Sequence, residues 1–213
     1  MPSRNIVKQY IPESYYHIYN RGVDRQAIFK SPEDFAVFLS IIKRHLSNEP
    51  AVSKYGHPHP HYKDHIELLA FCLMPNHFHL LVYQFQDGKA ISKLVQSILT
   101  AYTMYFNNKY RRTGRLFQGT FKASRISQDK YLQHISRYIH LNPRDYRRYK
   151  WSSLPYYLDG YEAEWIKPQR ILDIFEGDNY ENFLKDYQDH KAMLDEIKHE
   201  LADYSSRGVT LRR

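Results

Sequence analysis

Two groups of residues have the types and spacing from which chemistry could be built. The first is His77-Phe78-His79, inside the run Met74-Pro75-Asn76-His77-Phe78-His79-Leu80-Leu81-Val82. Side chains alternate along a strand, so His77, His79 and Leu81 share one face and Phe78, Leu80 and Val82 the other. Two neighbouring imidazoles on an open strand face supply half of a metal site. Two inert, hydrogen-bonded strand histidines satisfy the same pattern. The second group is Tyr138 and Asn142, with His134 one turn earlier. Residues four apart share a helix face, so a phenol and an amide project side by side from a helix end. A phenol, with a pKa of about 10, attacks poorly until a cation or a metal-activated phosphate helps it. Arg137, Arg144, Arg147 and Arg148 crowd this helix end and could supply that help. A tyrosine packed on a sheet, with Asn142 as a plain helix stop, fits the spacing too.

The elements that must position these groups can be read in order. Residues 15–21 alternate and are rich in strand formers, and Gly22 ends them. Ser31 before Pro32, then Glu33 and Asp34, starts a helix. Phe35, Phe38, Leu39, Ile42 and Leu46 continue it at helical spacing to about residue 47. Residues 48–63, with Pro50, Gly56, Pro58 and Pro60, read as a loop. Its His57, His59 and His61 resemble a metal-binding tract but suit a solvated loop better, because alternating prolines hold the rings apart. Residues 66–73 form a near-continuously apolar strand, and 77–83 the next. Both are expected in the interior of the sheet. A helix over 92–107, a basic turn at 107–115, a strand over 116–126 and a helix from Gln128-Asp129 to Asn142-Pro143 follow. The order β-α-β-β-α-β and then a helix predicts an α+β, ferredoxin-like antiparallel sheet. Beyond it, a short helix near 169–175, a longer one over 180–203 and a frayed end at 205–213 are expected.

Charge divides the chain. Residues 159–213 carry thirteen Asp/Glu against eight Lys/Arg, a net of −5, so with a total of +8 the first 158 residues carry +13. A basic domain with an acidic extension points to a polyanionic partner. The 20 Tyr, 11 Phe and 2 Trp, many beside Lys or Arg, suit unstacked bases over neutralised phosphates. The single cysteine, Cys72, excludes an internal disulfide and a cysteine-based zinc site. No apolar run approaches membrane-spanning length, and residues 1–4 are not of signal type. A cytoplasmic, nucleoid-associated protein is expected.

Taken together, Y-H-I-Y-N-R-G, L-M-P-N-H-F-H-L-L-V, F-Q-G-T-F-K, S-R-Y-I-H-L-N-P and W-S-S, in this order over about residues 10–158, resemble the single-tyrosine HUH transposases, nearest the REP-associated tyrosine branch. The resemblance implies metal-dependent cleavage and rejoining of single-stranded DNA, often at a hairpin or repeat. It implies Tyr138 as nucleophile, His77, His79 and Asn142 as ligands of Mg²⁺ or Mn²⁺, and a 5′-phosphotyrosine intermediate. His140 departs from the Glu or Gln more usual between the tyrosine and the asparagine. DNA contacts are expected from Arg21, Arg25, Arg111, Arg112, Arg115, Lys122, Arg125 and Arg144. The division expected is a catalytic domain at 1–158 and an acidic helical extension at 159–213, with a homodimer left open. Two other readings stay open. One is a domesticated module that binds hairpin nucleic acid without cutting it, and the other is a replication-initiator-like HUH nickase.

Overall fold

The computed structural model describes residues 10–53, 55–175 and 179–186. Four antiparallel strands form one sheet in the order β2-β3-β1-β4: β1 (Ser14–Arg21), β2 (Ile66–Met74), β3 (His77–Gln84) and β4 (Lys122–Ile126). Helices α1 (Pro32–Leu46) and α2 (Ala90–Lys109) cover one face, and α3 (Asp129–His140) the other. Helix α1 starts as its sequence predicts. Ser31 and Asp34 close a reciprocal capping box over Pro32 at the first position. The sheet alternates as expected: Tyr16, Ile18, Phe78, Leu80 and Val82 enter the α1/α2 core, whereas Leu81 and Ile126 meet Leu132, Ile135 and Ile139 of α3. A bulge between Leu68 and Ala70 turns both Leu69 and Ala70 toward α3.

Two expectations about strands need correction. Strand β2 is not interior; it is the sheet's edge. It is nonetheless buried, because residues 149–167 cover its free edge. Leu73 N–H donates to the Trp151 carbonyl at 2.9 Å, Ser153 N–H to Phe71 at 2.9 Å and Lys167 N–H to Leu68 at 2.8 Å. Tyr149 and Tyr157 donate their hydroxyls to the Leu73 and Leu69 carbonyls. An apolar run signals burial on both faces, and a covered edge meets that demand as well as an inner strand does. The strand expected over 116–126 pairs as a strand only from Lys122. Before it, Gly22 and Phe117 form one isolated bridge, and the Asn20 side-chain amide donates to the Gly119 carbonyl. Residues 118–120 therefore leave the ladder and line a cavity.

Past α3 come α4 (Pro155–Leu158), α5 (Gln169–Leu172) with a 3₁₀ turn at Asp173–Phe175, and α6 (Tyr180–Lys185). Trp165 and Ile166 join the α1/α2 core; Ile171, Phe175, Tyr180 and Leu184 join the α3 core. The helix expected over 180–203 is described only as α6, with Asp186 as its non-helical cap, and its remainder, like 1–4 and 205–213, lies outside the described residues. No helix among the described residues is long and apolar enough to cross a membrane.

Candidate active site

The β2–β3 hairpin turns through Pro75 and Asn76, and the segment after β1 anchors its tip. Gly22 N–H donates to the Asn76 carbonyl at 2.8 Å, and Ile28 and Phe29 N–H groups donate to that of Pro75. The chain at Gly22 passes so close to itself that an added Cβ would lie 2.1 Å from the Gln26 carbonyl oxygen, so only glycine fits. Asp24 and Arg25 take left-handed conformations, at φ 50° and 58°, which turns Arg25 back toward the hairpin. The Asn76 amide then donates to the Arg25 carbonyl at 3.2 Å, and its oxygen lies 2.6 Å from His77 Nδ1.

That contact decides what His77 can do. With the Asn76 amide committed as a donor to Arg25, its oxygen is an acceptor, so His77 Nδ1 carries the proton. Burial, opposed in part by the Asn142 contact, holds the His77 imidazole below its usual pKa, so it is neutral. Its Nε2 is then a lone pair, 3.1 Å from Asn142 Oδ1. Interaction with Asn142 also pulls the Tyr138 phenol's pKa down. At that distance the Asn142 amide can turn its nitrogen toward the imidazole, and both side chains stay able to offer a lone pair to an ion. Beside them, His79 is buried, and its Nε2 has no hydrogen-bond partner. A divalent cation would satisfy all three atoms, and the imidazole–amide donor set suits such an ion. Among the described residues no three His, Cys, Asp or Glu side chains could hold a metal, so an ion here depends on the Asn142 amide.

Helix α3 brings Tyr138 over this face. The phenol ring stands edge-on to His79, with centroids 5.3 Å apart. Burial pushes its pKa up to about 12, a pull that the Asn142 hydrogen bond only partly offsets. The helix is gripped from behind. His140, buried, joins Tyr180 and Ser153 through contacts of 2.7 Å each, and so faces away from Tyr138. Arg137, expected to help the phenol, does not face it. It is fully buried against His134, the Phe183 carbonyl and the Phe183 ring, 4.1 Å from the ring's centroid. His134 belongs to that contact and not to the phenol's surroundings. Arg147 pairs with Glu181, and Arg144 and Arg148 are exposed.

In front of the histidines lies a cavity of about 510 Å³, lined by Tyr138, His77 and His79 and by a basic, amide-rich wall of Arg21, Arg25, Asn20, Gln118 and Lys122. Arg21 reaches Gln118 at 2.5 Å, which ties the end of β1 to the segment before β4. The other expected DNA contacts lie elsewhere. Arg111, Arg112 and Arg115 sit on the α2–β4 connection, where Arg112 stacks on Phe106. Arg125 pairs in register with Tyr16, on the α1/α2 side of the sheet. Of the loop histidines, His61 contacts the Ser47 carbonyl at 2.6 Å and His57 is exposed.

Sequence reasoning passed over Asn20, Asn76, Gln118 and above all His17. Only the pairing register sets His17 beside His79. Alternation along β1 places His17 with Tyr15 and Tyr19 on one face, but does not say which strand lies next to it.

Sheet, tyrosine helix and paired histidines define an α+β protein with a cationic cavity facing a phenol. Residues 58–142, which include His77, His79, Tyr138 and Asn142, match the family model described as transposase, IS200-like. The resemblance read from the sequence is borne out over that segment. Among solved structures, the chain is similar to a REP-associated tyrosine transposase bound to a REP hairpin. Identity is 16% and the TM-score 0.50, over 74% of this chain and 88% of that one, which is a likeness of fold. A protein of Deinococcus radiodurans R1 described as a candidate transposase aligns at 17% identity and TM-score 0.38, over 59% of this chain and 88% of that one. No curated protein matches the chain.

Proposed function

We propose that this protein is a metal-dependent single-stranded DNA endonuclease and strand transferase that works through Tyr138. One observation carries the reading: Tyr138, His77 and His79 line one basic cavity, and Asn142 Oδ1 lies 3.1 Å from His77 Nε2. The order β2-β3-β1-β4, with its two β-α-β crossovers, supports a ferredoxin-like frame.

His77, His79 and Asn142 would hold Mg²⁺ or Mn²⁺, and a bound ion supplies Lewis-acid polarisation of the scissile phosphate and charge neutralisation. Asn142 also orients the phenol by hydrogen bonding, while α3, clamped from behind, fixes its approach. Arg21, Arg25 and Lys122 line the phosphate path and position the strand without reading its sequence. Tyr138 Oη forms a bond to phosphorus and gives its proton to solvent, and the departing O3′ takes one up from solvent. The P–O3′ bond breaks, giving a 5′-phosphotyrosine and a free 3′-hydroxyl. Reversal by a 3′-hydroxyl rejoins DNA without ATP, because the phosphotyrosine conserves the phosphodiester energy. Tyr138 sits over its own chain's histidines, which supports a site complete in one chain and no need of a homodimer. The hairpin in the similar structure favours hairpin or repeat DNA as substrate. On this reading residues 1–158 do the chemistry, 159–213 form an extension of which Ile171, Phe175, Tyr180 and Leu184 pack in the α3 core, and the protein works in the cytoplasm at the nucleoid.

The test uses labelled single-stranded hairpin DNA with Mn²⁺, comparing wild type with Tyr138→Phe on a denaturing gel. A covalent adduct in wild type and none in Tyr138→Phe is expected. Adduct persisting in Tyr138→Phe would reassign the nucleophile. Tight hairpin binding with no adduct from either protein, with Mg²⁺ or Mn²⁺, would select a binding module.

A further inference from the structure

His17 takes no part in the chemistry just described. It lies on β1, 1% exposed, on the α3 side of the sheet. Its ring stacks on that of His79, with centroids 5.0 Å apart and planes inclined by 21°. Its Nε2 lies 2.9 Å from His79 Nδ1. Two bare lone pairs at that distance would repel, so a proton lies between them. If it belonged to His17, His79 would carry its own proton on Nε2, as a buried N–H with no acceptor. Buried orphan donors are rarer and costlier than under-used acceptors. The proton therefore belongs to His79 Nδ1.

We propose that His17 is a positioning residue for the cation site: by accepting the Nδ1–H of His79, it holds that ring in the tautomer and orientation that offer the Nε2 lone pair to a divalent cation. The proposal rests on reading His77, His79 and Asn142 as that site. It gives His17 the orienting role that carboxylates or carbonyls usually play behind metal-binding histidines.

The experiment is titration of the full chain with Mn²⁺ alone, by calorimetry, on wild type and on His17→Leu, His17→Gln and His79→Ala. His17→Leu keeps bulk but removes the acceptor, and should weaken Mn²⁺ binding about 10- to 100-fold. His17→Gln restores an acceptor at a similar reach and should bind within about threefold of wild type, a rescue that loss of packing would not produce. His79→Ala should abolish binding. Unchanged affinity in His17→Leu beside loss in His79→Ala would overturn the role of His17 alone, as would equal losses in His17→Leu and His17→Gln. Wild type that binds no Mn²⁺, or His79→Ala that binds like wild type, would overturn the site and the proposal together. A second measurement needs no variant: nitrogen-15 shifts of the metal-free wild type should show His79 protonated on Nδ1. Protonation on Nε2 would overturn the proposal.

Discussion

At the scale of single residues, the candidate site is a set of neutral side chains gathered at one end of the sheet. His77 Nε2 lies 3.1 Å from Asn142 Oδ1, and His79 Nε2 is buried with no hydrogen-bond partner. His140, buried on the far side of α3, completes its bonds and refuses a proton. Burial holds the pKa of His140 down to about 3, as it does that of His17. Above the ordinary imidazole pKa of about 6.5 both folded and unfolded states are neutral, and the stability is fully present. As pH falls below that value the unfolded chain takes up protons that the folded one excludes, and stability is lost down to about pH 3. Each such histidine should contribute a decline of about 1.4 kcal/mol per pH unit. Urea midpoints of wild type and His140→Gln between pH 7.5 and 5 check this. The variant should decline less steeply by about that amount, and parallel curves would mean that His140 does not titrate this way.

Elements explain why the phenol is held where it is. Helix α3 lies between the sheet and a strap made of residues 151–153 and α6. Ser153 is the joint of that strap. Its hydroxyl accepts the Phe71 N–H at 2.8 Å and meets His140 at 2.7 Å, so the edge of β2 and the tyrosine helix share one side chain. Ser153→Ala would strand a buried N–H and a buried imidazole nitrogen, at a cost of about 2–3 kcal/mol. A fall in Tm of about 5 °C or more is expected by thermal unfolding. A fall under about 1 °C would show that neither group depends on the hydroxyl.

Across the whole molecule, the +13 carried by residues 1–158 is spread widely, but only Arg21, Arg25 and Lys122 of the expected contacts line the cavity. Phosphate contacts release counterions, so hairpin affinity should fall steeply with salt. Arg25→Ala should flatten the log–log slope by about 0.7–0.9, the share of one phosphate. Arg125→Ala, on the sheet's other side, should leave the slope unchanged within about 0.3. Equal effects of the two, measured by fluorescence anisotropy, would show that general positive charge, and not the cavity, sets binding.

Local rules carried much of this into view from sequence. Alternation placed His77 and His79 together, helical spacing paired Tyr138 with Asn142, and cap chemistry marked where α1 begins, because each depends on neighbours a few residues away. Covering of an apolar strand did not require an inner position, so β2 could be read as buried but not as an edge. Arg137 lies beside Tyr138 in sequence, yet one residue along a helix turns a side chain about 100° away, toward Phe183 instead of the phenol. The loss of pairing before Lys122 depends on Asn20, about a hundred residues earlier. The placement of His17 behind His79 depends on strand register across 62 residues. The sequence by itself determined which groups could do chemistry. Tertiary structure alone decided which basic side chains reach the cavity, which histidine stands behind His79 and what grips the tyrosine helix, because those contacts join segments whose separation no local period encodes.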